Sequence, residues 1–254
     1  MDKKSIIETK TQLIEYFQDK EKNKKDWMIG TEHEKFIFSL KNFHSVDYKG
    51  ENGIEQLLLI LEKNSGWEGI YENKNIIGLI ADNKSSISLE PGGQLELSGA
   101  PLKNLHMTCE ETGTHLKELR KALQRLDLGM AGFGFHPISA RENSNFMPKG
   151  RYEIMKKWMP KVGSMGLDMM LRTCTIQVNL DYSNENDMAK KFKTALTLQP
   201  IITALFANSP FYEGKPSNFL SLRTEVWRNT DPSRCGVPTC IFDNNFGYEM
   251  WVDY

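Results

Sequence analysis

Apolar and polar side chains alternate in several short segments of the chain, a pattern typical of strands. The alternation predicts a first strand over 27–40 and further strands near Trp67–Tyr71, Ile76–Ile80 and Ile87–Glu90. The turn residues Asp82–Ser85 separate the last two strands by the short distance of a hairpin. Neighbouring strands joined in this way pair in antiparallel fashion. The chain is therefore expected to contain an antiparallel sheet.

Other segments repeat their apolar residues at helical spacing. A capping box beginning at Ser5 predicts a helix over 5–20, and Ile54–Lys63 predicts another. From Leu102 to Leu126 apolar residues recur every three or four positions, which predicts a long helix that faces the core. Cys109 lies on the apolar face of this predicted helix, and Gly129 is expected to end it. The remaining predictions are a short helix around Tyr152–Trp158, a long strand through Asp181, a helix from Asn184 to Ala207 and a last element from Phe246 to Tyr254.

Hairpins interspersed with helices, without a regular strand–helix–strand order, predict an α+β architecture. The chain has 254 residues, 39% of them hydrophobic and 26% charged, which is ordinary for a globular protein. Its 32 basic and 33 acidic residues give a net charge of −1, so nothing indicates nucleic acid or an anionic membrane as a partner. The length permits one or two domains.

The N-terminus and the cysteines bear on the location of the protein. Met1–Glu8 lacks the apolar core of a signal peptide, and no apolar run approaches the roughly 20 residues that span a bilayer. The four cysteines lack Cys-x-x-Cys spacing and are expected to be free thiols. These features predict a cytoplasmic protein.

Two carboxylates stand two residues apart in the first predicted strand. Glu32 and Glu34 would share one strand face, roughly 7 Å apart along the strand. Their mutual repulsion is tolerated when a divalent cation lies between them, and oxygen ligands suit Mg²⁺ or Mn²⁺. A lone Glu-x-Glu, however, is more often an exposed polar strand face.

Two further segments strengthen the metal hypothesis. Between Glu90 and Glu96 a Pro-Gly-Gly sequence lets the chain bend sharply. In Thr173–Asp181 the odd positions, including Gln177 and Asn179, put polar side chains on one strand face. Three segments thus carry oxygen ligands.

These segments also carry a resemblance to a known family. The strings GTEHEK, SISLEPGGQLELSGAP, MPKGRY, GLDMMLRTCTIQVNLD and LFANSPFYEGKPS occur in order between about Trp27 and Tyr254. They closely resemble glutamate–cysteine ligases of the plant and proteobacterial type. Because family members continue well past the final VDY, the resemblance implies that residues 1–254 are a single, incomplete catalytic domain. It also implies an antiparallel sheet curved into a funnel with helices outside, similar to the catalytic domain of glutamine synthetase.

The resemblance implies an activity and its ligands. L-Cysteine would be joined to the γ-carboxylate of L-glutamate through an acyl phosphate made from ATP, the first step of glutathione synthesis. The chain has no Walker A motif, so metal ions and basic side chains would hold the phosphates. A homodimer is compatible with the resemblance. A ligase with another amine acceptor and a non-catalytic remnant that binds metal or glutamate remain as alternatives.

The resemblance further assigns individual residues, and no covalent nucleophile is predicted. The basic residues Arg151 and Arg223 would anchor substrate, although sequence alone favours solvated surface charges for both. Asn179 shares the face of Gln177 and is expected to contact substrate or phosphate. Strand alternation puts Arg172 and Cys174 on the opposite face. The metal ligands implied by the resemblance are Glu32, Glu34, Glu90, Glu96 and Gln177.

Overall fold

The computed structural model describes residues 6–64 and 66–254, and an antiparallel sheet forms its centre. The strands are β1 (Ile29–Ser39), β2 (Glu68–Glu72), β3 (Asn75–Ile80), β4 (Ser86–Leu89), β5 (Leu95–Ser98), β6 (Leu128–Ala131), β7 (Ile176–Leu180) and the small hairpin β8 (Phe211–Tyr212) and β9 (Lys215–Pro216). The helices are α1 (Lys10–Gln18), α2 (Ile54–Asn64), α3 (Leu105–Gln124), α4 (Gly150–Val162), α5 (Gly166–Arg172), α6 (Glu185–Leu205), α7 (Leu222–Arg228) and α8 (Tyr248–Asp253). The predicted α+β class is confirmed.

The long strand β1 organises the sheet. The strand order is β2-β3-β4-β5-β1-β6, and β7 also pairs with β1. The first part of β1 pairs with both β5 and β7, and its last four residues pair with β6. Every one of these pairings is antiparallel, and the antiparallel hairpin of β3 and β4 was predicted from its short turn.

One face of the sheet is apolar and carries the core. Leu95 and Leu97 of β5 are fully buried on this face, while Glu96 and Ser98 alternate to the other. Helices α2 and α3 cover the apolar face, and each fully buried leucine contributes about 1.5–3 kcal/mol. The helix residues in this core include Leu57, Leu58, Leu61, Leu119 and Leu123. The opposite face is left free for polar side chains.

The ends of α3 differ from the prediction. The helix begins after Asn104, whose side chain accepts a hydrogen bond from the Met107 N–H, and it ends at Gln124. Gly129 lies in β6 opposite Phe38 and does not end the helix. Cys109 is exposed rather than in the core, because the buried residues of α3 all lie in its second half.

The first helix also starts later than predicted. It begins at Lys10 with Thr9 as its cap, and Thr9 and Gln12 form the capping box. Thr9 and Gln12 have the same Ser/Thr-x-x-Glu/Gln spacing as the predicted box. Ser5, on which that prediction rested, lies outside the described residues.

The predicted long strand through Asp181 is wrong in its first part, where α5 forms instead. Asp168 and Arg172, four residues apart, form a fully buried ion pair at 2.6 Å, a spacing that a helix brings together. The Arg172 guanidinium also lies 4.6 Å from the ring centroids of both Phe135 and Tyr212. Arg172 is therefore a packed structural residue, not a member of a strand face.

Part of the apolar surface remains exposed. Ile176, Val178 and Leu180, on the second face of β7, are 65%, 55% and 64% exposed. In α6, which begins after Asn184 as predicted, no residue is buried. No helix among the described residues has the length and apolar character needed to cross a membrane.

Candidate functional site

The polar face of the sheet brings the predicted carboxylates together. Glu34 of β1 lies directly opposite Glu96 of β5, and Glu32 lies opposite Gln177 of β7. Directly opposed residues of an antiparallel pair have Cβ atoms roughly 4.5–5.5 Å apart on the same face. Strand periodicity and register therefore assemble this cluster from three strands.

Two amide side chains hold the Glu32 carboxylate. Gln177 Nε2 donates a hydrogen bond to Glu32 Oε1 at 3.0 Å, and Asn179 Nδ2 donates to the same oxygen at 2.9 Å. Gln177 Nε2 also lies 3.4 Å from Asn179 Oδ1. The three side chains form one connected polar group, as expected from their shared strand face.

Glu90 reaches the cluster through the Pro-Gly-Gly turn. The turn closes with a hydrogen bond from the Gly93 N–H to the Glu90 carbonyl, and Gly93 has φ of +84°, which favours glycine. A Cβ on Gly92 would clash with the Leu171 carbonyl oxygen, so only glycine permits this approach to α5. Burial, followed by the charge of Glu96, raises the pKa of Glu90.

Glu34 has the most perturbed carboxyl group of the cluster. Burial, followed by the nearby charges of Glu90 and Glu96, raises its pKa to about 8. The Thr175 N–H donates a hydrogen bond to Glu34 Oε2 at 3.0 Å and partly offsets this rise. The site therefore disfavours the negatively charged form of Glu34 beside the Glu90 and Glu96 carboxylates. A bound cation would relieve this repulsion.

The cluster is not a closed metal cage. Within residues 6–64 and 66–254, no three His, Cys, Asp or Glu side chains are grouped closely enough to enclose an ion. Mg²⁺ commonly keeps several waters and binds through one or two carboxylates together with substrate phosphates. The oxygen donors on this face fit such an open site, in which phosphate oxygens complete the coordination.

Basic side chains flank the carboxylates on two sides. Arg151 of α4 lies 3.9 Å from Glu90, measured from Nη2 to Oε1, and remains largely exposed. Arg223 of α7 lines a cavity of about 520 Å³ together with Glu34 and Cys174. Burial lowers the pKa of Arg223, and its buried Nε has no hydrogen-bond partner among the described residues. A guanidinium in this state is suited to an incoming carboxylate or phosphate.

The comparison with known families identifies the chain. The sequence model of glutamate–cysteine ligase family 2 (GCS2) matches residues 28–254, most of the chain. The chain belongs to this family. The match covers β1 through α8 and therefore includes every strand and helix that contributes to the polar face.

Individual plant relatives agree with the family match. The chain is 52% identical to the chloroplastic glutamate–cysteine ligase of Medicago truncatula and 51% identical to that of Arabidopsis thaliana, over 246 residues in each case. It is also 52% identical to glutamate–cysteine ligase A, chloroplastic, of Oryza sativa subsp. japonica. These alignments cover 97% of this chain but 48%, 46% and 49% of the respective relatives. The chain thus spans about half the length of the curated relatives it matches.

The predicted cytoplasmic location is wrong by this comparison. The names of the relatives place those enzymes in the chloroplast, not in the cytoplasm. The prediction rested on the lack of a signal-peptide core in Met1–Glu8. Targeting segments are removed from mature proteins, so that lack carries no information about the compartment.

Gln94, which supports the polar face from within the fold, was not predicted from the sequence. Its buried amide donates to the Met170 and Thr173 carbonyls at 3.2 and 2.8 Å and accepts from the Gly92 N–H at 2.9 Å. Gln94 thereby ties the turn after Glu90 to the connection between α5 and β7. The signal was a polar residue in phase with Glu96 and Ser98 immediately after two glycines.

Replacing Gln94 with leucine should lower the free energy of unfolding by about 1–3 kcal/mol, because buried backbone groups lose their partners. Urea unfolding followed by circular dichroism measures the change. Gln124→Leu is the control, since Gln124 is exposed at the end of α3. Equal stability of the two variants would show that the Gln94 hydrogen bonds do not hold the turn.

The raised pKa of Glu34 makes a prediction for metal-free buffer. Its carboxyl titrates near pH 4.5 when unfolded and near pH 8 when folded, so the folded state binds more protons between these values. The free energy of unfolding should therefore fall as the pH rises from about 4.5 to about 8. Glu34→Gln should reduce this slope, whereas the exposed control Glu153→Gln should retain it. Urea titrations across this pH range give the slopes, and equal slopes in both variants would contradict the assignment.

Proposed function

We propose that the protein containing this chain ligates L-cysteine to the γ-carboxylate of L-glutamate with the hydrolysis of ATP, the first step of glutathione synthesis. The observation that carries the proposal is the carboxylate cluster of Glu34, Glu90 and Glu96, flanked by two arginines. The names of the plant relatives support the same reaction.

The reaction explains why such a cluster is needed. A carboxylate and an amine condense only when the carboxylate oxygen becomes a better leaving group, which phosphorylation by ATP provides. The γ-phosphoryl group passes to the glutamate γ-carboxylate, the cysteine amine then attacks the acyl carbon, and phosphate leaves. Several anionic groups must therefore lie close together. A divalent metal ion, when bound, neutralises this charge.

The residues proposed to hold Mg²⁺ or Mn²⁺ are those of the polar face. Each supplies a carboxylate or amide oxygen, as hard divalent cations prefer. The hydrogen-bonded amides of Gln177 and Asn179 orient Glu32, and the turn held by Gln94 orients Glu90. The proposed ligands are Glu32, Glu34, Glu90, Glu96 and Gln177.

Arg223, Arg151 and Asn179 are proposed to bind the substrates. The Arg223 guanidinium is partly desolvated beside Glu34, so an anion there meets a stronger field than at the surface. Arg151 is more exposed and lies near Glu90 at the other side of the cluster, where it is suited to a phosphate or a carboxylate. Asn179, beside Glu32, offers an amide to substrate or phosphate.

We further propose that residues 1–254 form one incomplete catalytic domain of the ligase. The exposed apolar side chains of β7 and α6 support this proposal, since further parts of the domain could cover them. The relatives are about twice as long as this chain, which also supports it. A homodimer remains a prediction from the resemblance alone. A ligase with another acceptor amine and a non-catalytic remnant are the competing functions.

The complete polypeptide should be assayed with ATP, Mg²⁺, glutamate and cysteine. Phosphate release should match γ-glutamylcysteine formation measured by mass spectrometry, and it should fall sharply when cysteine is omitted, since a water-excluding site protects the acyl phosphate. Arg151 and Arg223 variants should weaken substrate use more than folding. Equal yields from many unrelated amines would favour the broader ligase, and binding without any product would favour the remnant.

A further inference from the structure

A second cavity lies on the opposite side of the sheet from the carboxylate cluster. It has a volume of about 330 Å³ and runs between α3 and the sheet. Its walls include Leu97, whose side chain is on the apolar face, and Trp67. From α3 it is lined by Glu111, His115 and Glu118, and this cavity is called the α3 groove below. The proposed ligase reaction uses none of these residues.

The α3 groove is acidic. Glu110, Glu111 and Glu118 line it, and no lysine or arginine is among its lining residues in the part of the chain that the structure describes. The basic residue that acts on His115 from outside is Lys35, whose ammonium group donates to the Glu34 carbonyl at 3.0 Å. The groove therefore favours a positively charged occupant.

Two buried groups in the groove lack partners. His115 is only 4% exposed, and neither of its ring nitrogens has a hydrogen-bond partner among the described residues. Glu111 accepts a hydrogen bond from the Ala100 N–H through Oε1 at 2.8 Å, but its buried Oε2 is likewise unpaired. Each unpaired buried group is energetically costly. A ligand that donates hydrogen bonds to both would recover this cost.

The protonation of His115 defines what the ligand must donate. Burial, followed by the charges of Lys35 and His33, lowers the pKa of His115 to about 4. The imidazole is thus neutral at pH 7 and offers one acceptor nitrogen. An ammonium group carries three donors and a positive charge, which complement this nitrogen and the Glu111 carboxylate.

The spacing of the carboxylates favours an elongated ligand over a single ion. Glu111 and Glu118 are seven residues apart on α3, about 10.5 Å along the helix axis. Trp67, whose Nε1 lies 3.5 Å from Glu118 Oε2, provides an apolar wall for methylene groups beside Glu118.

We propose that the α3 groove binds an aliphatic polyamine, with one ammonium group at Glu111 and His115 and another at Glu118. Such a ligand matches the acidic lining, the unpaired buried acceptors and the apolar wall at once. The site is separate from the carboxylate cluster, so polyamine binding is independent of whether the chain takes part in ligation.

Isothermal titration calorimetry with spermidine tests the proposal at constant ionic strength. We expect saturable binding of one spermidine per chain, weakened at least tenfold by Glu118→Gln, and unchanged by Glu225→Gln on α7. On spermidine binding the His115 ring resonances should shift in the NMR spectrum. The absence of saturable binding, equal affinity in both variants or displacement of spermidine by equimolar Mg²⁺ would overturn the proposal.

Discussion

Replacing Glu34 with glutamine in the complete polypeptide should lower the rate of γ-glutamylcysteine formation by roughly 10²–10³-fold, because Glu34 is a proposed ligand of the metal ion that stabilises the developing charge. Glutamine nearly preserves the shape of the side chain but removes its negative charge. Glu34 lies opposite Glu96 and beside Arg223, so its loss disturbs both the proposed metal site and the substrate side of the cluster.

The assay is mass spectrometry of the dipeptide, with urea unfolding of each variant to exclude a loss of fold. Glu96→Gln should have an effect of similar size, because Glu96 faces Glu34 across the paired strands. The exposed control Glu153→Gln should retain normal turnover. Full activity of both Glu34→Gln and Glu96→Gln would refute the assignment of the cluster.

Replacing Arg172 with methionine should lower the free energy of unfolding by about 3–5 kcal/mol, the cost of breaking a buried ion pair by removing one partner. Arg172 and Asp168 are both fully buried, and Arg172 Nη1 also donates to Glu213 at 2.9 Å. The variant would leave the Asp168 carboxylate with Arg141 as its remaining basic partner.

A matched substitution on the surface provides the control. Arg228 pairs with Glu225 at 3.4 Å on α7, but its side chain is largely exposed, and such pairs contribute about 0–1 kcal/mol. Urea unfolding of Arg172→Met and Arg228→Met should therefore differ by several kcal/mol. Similar small losses in both variants would show that the buried pair does not stabilise the fold.

The parts of the fold that the sequence predicted depend on local alternation. In β1 the period of two put Glu32 and Glu34 on one face, and the turn residues between β3 and β4 indicated their hairpin. The register that sets Glu34 opposite Glu96 is a non-local property, because residues 62 positions apart must pair. The individual segments suggested the polar face, whereas the pairing that assembles the cluster required the structure.

The failures occurred where tertiary contacts overrode local pattern. The segment Gly166–Arg172 is apolar enough for either a strand or a helix, and the buried partners of Arg172 select the helix. Cys109 follows the apolar spacing of α3 but lies in the half of the helix without buried residues. The one signal in the sequence that indicated a helix in this segment was the spacing of Asp168 and Arg172. Side chains four residues apart lie next to each other on a helix.

The most direct test of the carboxylate cluster measures Mn²⁺ binding to the complete polypeptide in the presence of ATP. Electron paramagnetic resonance detects the bound Mn²⁺. We predict that the wild-type protein binds the Mn²⁺–ATP complex, and that Glu34→Gln and Glu96→Gln each weaken its affinity at least tenfold, while Glu153→Gln leaves it unchanged. Equal affinities in all four proteins would contradict the claim that this face of the sheet holds the metal and the nucleotide phosphates.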